Sequence, residues 1–131
     1  MADGAKIGSI TWIDLTVEDA ESTRDFYQNV VGWESEGVDM DGYQDFAMKP
    51  PGETSPVTGV CHARGGNADL PAQWMIYIRV ADLETSLEAV RAGGGSCVTE
   101  IKNLGPTGRY CIIRDPAGAV SALFENRPEP S

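Results

Sequence analysis

The sequence predicts an α+β chain made of two βαβββ halves, and three observations predict it. The stretch Trp12-Ile13-Asp14-Leu15-Thr16-Val17-Glu18-Asp19 returns as Met75-Ile76-Tyr77-Ile78-Arg79-Val80-Ala81-Asp82, with Val17, Asp19 and Glu21 matched by Val80, Asp82 and Glu84, 63 positions on. Each copy alternates apolar and polar residues up to an acid, then switches to a helical spacing, which reads as strand, cap and helix. Each helix is followed by three short strand-like runs separated by Gly, Pro, Asp and Asn.

In the first half, Ile13, Leu15 and Val17 line one face of a strand from Ile10, with Trp12, Asp14 and Thr16 on the other. Asp19 is the expected N-cap of a helix whose apolar stripe is Ala20, Thr23, Phe26, Tyr27, Val30 and Val31, stopped by Gly32. Strands are expected over Trp33–Val38, Tyr43–Met48 and Val57–His62. Asp41-Gly42 forms the hairpin turn, and the Pro50, Pro51 and Pro56 segment forms a loop. A Gly- and Pro-containing connector separates the halves. In the second half the strand Gln73–Val80 leads to a helix capped by Asp82, with Leu83, Leu87, Val90 and Ala89 inward, ended by Gly93-Gly94-Gly95. Strands follow over Ser96–Ile101, Arg109–Arg114 and Ala119–Glu125, the last two joined by a type I turn at Asp115-Pro116-Ala117-Gly118. The expected organisation is a first module at 8–62, a connector at 63–72 and a second module at 73–126. The ends, residues 1–8 and 126–131, are expected to be loose.

Halves of about 60 residues are marginal alone, so they are expected to share a core or a sheet. The 131 residues carry 10 basic and 20 acidic side chains, a net charge of −10. That balance argues against nucleic acid and against an anionic membrane surface. No run is long and apolar enough to span a bilayer, and the start does not read as a secretion signal, so the expected location is the cytoplasm. Cys61, Cys97 and Cys111 are odd in number and lack a CxxC spacing, and they read as free thiols in a reducing compartment. The glycine runs are not phosphate loops, because no Lys-Ser or Lys-Thr follows them.

The element order, with Val-x-Asp before a helix that contains Phe26-Tyr27 and closes on Gly32-Trp33, and with Asp115-Pro116-Ala117-Gly118 before the last strand, resembles the glyoxalase, bleomycin-resistance and extradiol-dioxygenase superfamily, also called vicinal oxygen chelate proteins. The resemblance covers about residues 8 to 126. It implies curved sheets forming a shared cleft with helices outside. It also implies, for the catalytic members, a divalent metal held in that cleft by His, Glu and Gln at four strand positions. The superfamily includes lyases, epimerases, dioxygenases, metallo-transferases and drug-sequestering proteins without catalysis, so the fold alone does not choose among them.

Carried over position by position, the family's ligand sites fall on Trp12, Gly59, Met75 and Ala122. None offers an imidazole, carboxylate or carbonyl side-chain donor, so no metal and no other cofactor is expected, with a displaced divalent metal as the alternative. The remaining candidates are His62, Asp14 and Tyr77 as acid, base or polar anchor. Trp12, Asp14, Met75, Tyr77, Phe46 and Phe124 are candidates to line a cleft for a small molecule, aromatic ones included. His62 and Glu125, equivalent across the repeat, form a weak metal pair. The bland alternatives stay open: a strand-end histidine bonded to a loop, a salt bridge from Asp14 to Arg79 or Arg114, and aromatic side chains that are simply core. The expected function is a metal-independent small-molecule binder, acting as a homodimer. The alternatives are a superfamily enzyme using displaced metal or acid/base residues, and a non-catalytic interaction module.

Overall fold

A computed structural model describes residues 6–65 and 68–126. The expected loose ends therefore lie largely outside the described residues. The elements are β1 (Ile10–Val17), α1 (Ala20–Val31), β2 (Glu34–Asp39), β3 (Gln44–Lys49), β4 (Thr58–His62), β5 (Trp74–Arg79), α2 (Leu83–Ala92), β6 (Ser96–Cys97), β7 (Lys102–Asn103), β8 (Gly108–Arg114) and β9 (Val120–Asn126). The fold class is mixed α+β, with two helices, each following the first strand of a half, as the repeat predicts. The chain divides into two compact units, one of residues 13–74 and one that joins the segment before Ile13 to the chain from Met75 onward.

In the unit of residues 13–74 the strand order is β2-β3-β4-β1, with β4 parallel to β1 and the other pairs antiparallel. The β2–β3 hairpin turns on Asp41 (φ 63°) and Gly42 (φ 110°), both left-handed, as a two-residue hairpin requires. Asp19 caps α1 by accepting the Ser22 N–H at 3.0 Å, and Gly32 ends it at φ 76°, its N–H returning to the Gln28 carbonyl. One face of the sheet packs against α1 through Ala20, Phe46, Met48 and Val60, with Val17 and Trp33 beside them. The apolar stripe predicted for α1 does not face the sheet as a whole. Only Ala20 of it is buried, while Phe26, Val30 and Val31 are exposed. Arg24 takes an inward place instead, its guanidinium carbon 4.4 Å above the Phe46 ring. Tyr27 leans on Trp33 and Trp74 and accepts the Trp74 indole N–H at 3.2 Å.

In the other unit β5 pairs parallel with β9, β9 antiparallel with β8, and β6 and β7 both with β8. The segment just before β1 joins β5 here: Gly8 N–H donates to the Arg79 carbonyl at 2.7 Å, and Arg79 N–H to the Ser9 carbonyl at 2.9 Å. Helix α2 buries Leu83 and Leu87 against Cys111, Ile113 and Leu123, with Val90 packed alongside. The single strand expected over Ser96–Ile101 is instead two short ones. Ser96 and Cys97 face Arg114 and Ile113, but Lys102 faces Tyr110, two residues out of register, so the chain bulges between them. Thr99 fills the gap: its hydroxyl accepts the Ile112 N–H at 3.1 Å, while the Ile112 carbonyl receives Val98 N–H at 2.7 Å and Thr99 N–H at 3.3 Å.

Candidate functional site

His62 closes β4, and the local register explains its setting. Val60, two residues earlier, faces α1, so His62 points to the same side. At the level of Cys61 and His62 the β3–β4 ladder gives way to a side chain: Asp45 Oδ1 accepts the His62 N–H at 2.8 Å. The same oxygen lies 3.4 Å from His62 Nδ1, and the two side chains are only 14% and 13% exposed. Nδ1 is buried and forms no hydrogen bond of good geometry. The imidazole ring meets Tyr43 edge-on at 5.6 Å and Phe46 at 6.2 Å.

His62, Tyr43 and Phe46 wall a cavity of about 440 Å³ between the start of α1, the start of β3 and the end of β4, lined also by Glu18, Glu21, Arg24, Gln44 and Arg64. Arg64 lies 4.5 Å over the Tyr43 ring, as Arg24 does over Phe46. Such a space suits a small molecule, with rings for its apolar part and charges of both signs at the rim.

The other candidates stand elsewhere. Asp14 pairs in register with Gly59, and its Cβ lies on the Gly59 side of the sheet, the face away from Val60 and His62. Asp14 and His62 are therefore not brought together. Between them Cys61 is neighbour to Asp14 and Asp45. Burial first, and then the charge of Asp14 and of Asp45, pushes the Cys61 thiol well above its ordinary range, so it stays a neutral donor rather than a nucleophile. Phe46 lines the His62 cavity from the α1 side and does not share a face with Asp14.

In the other unit Met75, Tyr77 and Phe124 are buried, and Tyr77 packs 5.7 Å from the Tyr110 ring. Trp12 is half-buried. Tyr77 pairs in register with Ala122. Glu125 is held in a clamp. Its Oε1 accepts the Leu83 N–H at 2.7 Å and Arg109 Nη2 at 3.2 Å, and its Oε2 accepts Arg109 Nε at 2.9 Å. Arg109 Nη2 also bonds Glu84. The Arg109 bond first, and the Leu83 N–H after it, hold the Glu125 carboxyl below its ordinary value against the opposing effect of burial.

The residues present do not fit the metal that the family resemblance implies. Trp12, Met75 and Ala122 in one unit and Gly59 in the other bring an indole, a thioether, a methyl and a hydrogen. Among the described residues no three His, Cys, Asp or Glu side chains cluster closely enough to hold an ion. No helix of the described residues is long and apolar enough to cross a membrane.

Sequence reasoning missed Asp45, Tyr43, Arg24, Gln44 and the two glutamates. Asp45 left one visible signal: an acid inside an apolar strand run, on the strand next to the one that ends in the lone histidine.

Residues 9–122 match the family model of the Glyoxalase/Bleomycin resistance protein/Dioxygenase superfamily. The chain is 28% identical over 127 residues to CFP32 of Mycobacterium tuberculosis (strain CDC 1551 / Oshkosh), covering 90% of this chain and 46% of that protein. It is 26% identical over 132 residues to the anthracycline biosynthesis protein DnrV of Streptomyces peucetius, covering 89% and 46%. The chain thus spans about half the length of these curated relatives. A crystal structure of methylmalonyl-CoA epimerase from Mycobacterium tuberculosis superposes with a TM-score of 0.55 at 18% identity, covering 98% of this chain and 94% of that one. That likeness concerns the fold.

Proposed function

The chain belongs to the glyoxalase/bleomycin resistance protein/dioxygenase superfamily, and from that premise we propose that it is a member that binds a small molecule without the family's metal. The observation that carries this reading is the donor set. The four positions to which the family resemblance carries the divalent-ion ligands are occupied by Trp12, Gly59, Met75 and Ala122, and none of these side chains can replace a water on a hard cation. The cavity at His62 supports a binding role. It joins aromatic walls from Tyr43 and Phe46 to the largely buried His62 imidazole, which can orient a polar group.

The test has two parts. Elemental analysis of the purified protein, with melting temperatures across Zn, Ni, Mn and Fe, should show neither bound metal nor a stabilising shift. A fragment screen should give ligands whose stabilising shift is lost in His62→Ala. A metal held in stoichiometric amount, or fragments indifferent to His62, would overturn the reading.

The His62–Asp45 contact favours one second reading. An imidazole backed by a carboxylate at 3.4 Å and facing a cavity is the arrangement of a general acid or base. On that reading a bound ligand is also turned over, and His62→Asn abolishes turnover while leaving binding within a few-fold.

A further inference from the structure

The cavity beside His62 has a counterpart in the other half of the repeat, and there the place is taken. The Arg109 guanidinium sits between Glu125, at the end of β9, and Glu84, in the first turn of α2. Glu125 also receives the Leu83 N–H, so one cation ties two strands to a helix start.

Moving back 63 positions, Glu84 becomes Glu21, Leu83 becomes Ala20 and Glu125 becomes His62. Arg109 stands directly opposite Glu125 in the β8–β9 ladder. The β3–β4 ladder ends at the pair Phe46–Val60; Gln44 and His62 each lie two residues beyond that pair, on the same side of their strands, and both line the cavity. Gln44 therefore stands where Arg109 stands, and the tethered guanidinium is gone. What occupies its position is the cavity, lined by Gln44, His62 and Glu21. The carboxylate lost with the change from Glu125 to His62 is matched by a gain: Glu18 lines the cavity, where the other half has Ala81.

The two arginines at the cavity do not fill this place. Arg24 lies over Phe46 and bonds Asp25 at 2.9–3.0 Å, and Arg64 lies over Tyr43. Among the described residues neither Glu18 nor Glu21 makes an ion pair. Two carboxylates are thus turned to a space that in the sister half holds a guanidinium.

We propose that this cavity binds the guanidinium group of a small molecule between Glu18 and Glu21, with Gln44 and His62 alongside, in the place that Arg109 fills from within the chain. The proposal rests on the small-molecule reading above and names its ligand class. A planar cation with a fork of donors can reach both carboxylates at once, which a compact ammonium cannot. The net charge of −10 on the whole protein favours the approach of a cationic ligand.

The experiment is a titration of the full chain, followed by amide chemical shifts, with methylguanidine, agmatine and, as controls, methylammonium and matched sodium chloride. Guanidinium probes should bind saturably at the Glu21, Gln44 and His62 amides, more tightly than methylammonium. Glu21→Gln should weaken them about tenfold or more, the loss of one charge-assisted bond. Gln44→Arg should supply the guanidinium from within the chain, keep the fold and abolish probe binding. Shifts no larger than those from salt, or binding unchanged in both variants, would overturn the proposal. A parallel titration with neutral aromatic fragments separates the two levels. If fragments bind the cavity and guanidinium does not, only this inference falls. If neither binds, the small-molecule reading falls with it.

Discussion

One Asp45 oxygen accepts the His62 N–H at 2.8 Å and lies 3.4 Å from His62 Nδ1, which makes no hydrogen bond to it. The carboxylate thus does the work of a ladder carbonyl at the point where β3 and β4 part. Replacing Asp45 by Ala leaves the half-buried His62 N–H without its acceptor. The expected cost is about 1–3 kcal/mol, read as a fall in the urea midpoint with an unchanged slope. Asp45→Asn, which keeps the acceptor oxygen, should recover part of it.

The clamp at Glu125 should be visible in acid. The Arg109 and Leu83 bonds lower the folded-state value of Glu125 below the ordinary 4.5. A lowered value means that the stabilisation is fully present above about 4.5 and is lost as the pH falls through the folded value. Glu125→Gln should therefore lower stability at pH 7 and flatten the acid side of the stability profile. A variant whose curve parallels the parent's below pH 4.5 would sink this account.

Cys61 should be a slow thiol. Burial is the main reason and the carboxylates of Asp14 and Asp45 the next, so the native protein should resist iodoacetamide at pH 8 at this position. Peptide mapping after timed labelling distinguishes it from Cys97 and Cys111. Asp45→Asn removes one negative neighbour and should speed labelling of Cys61, though not to the rate of the unfolded chain, because burial remains.

The core under α2 should be the costlier of the two helix contacts to damage. Leu83 is fully buried among Leu87, Cys111, Ile113 and Leu123, and Leu83→Ala should cost about 2–5 kcal/mol by equilibrium unfolding. Val30→Ala, on the outer face of α1 where Val30 is 60% exposed, should cost about 0.5 kcal/mol or less.

The elements were legible because both codes that announce them are local. The period-two strand before Asp19 and before Asp82, the acid caps and the Asp41-Gly42 and Asp115-Pro116 turns each act over a few residues. The inward face of α1 was not legible, because its apolar residues are too many for one face. Tertiary contacts with Phe46, Trp33 and Trp74 select Arg24 and Tyr27 and leave Phe26, Val30 and Val31 outside. The site was half legible. His62 stood out by its rarity, but its neighbours come from β3 and the first turn of α1. Their meeting depends on a register that neither strand carries alone. The split at Ser96–Ile101 was hidden for the same reason, since a bulge is a property of the pairing.

The hydrogen bonds of Gly8 and Ser9 with Arg79 join residues about seventy positions apart, while the turn at Asp115 joins its strands across about five. Closing the longer loop costs more chain entropy before any contact repays it. The β8–β9 hairpin is therefore the natural early structure in folding, and the residues just before β1 are recruited late. Their amides, Gly8 foremost, should be among the first backbone sites to exchange with deuterium from the native state, well before those of Cys111 and Leu123.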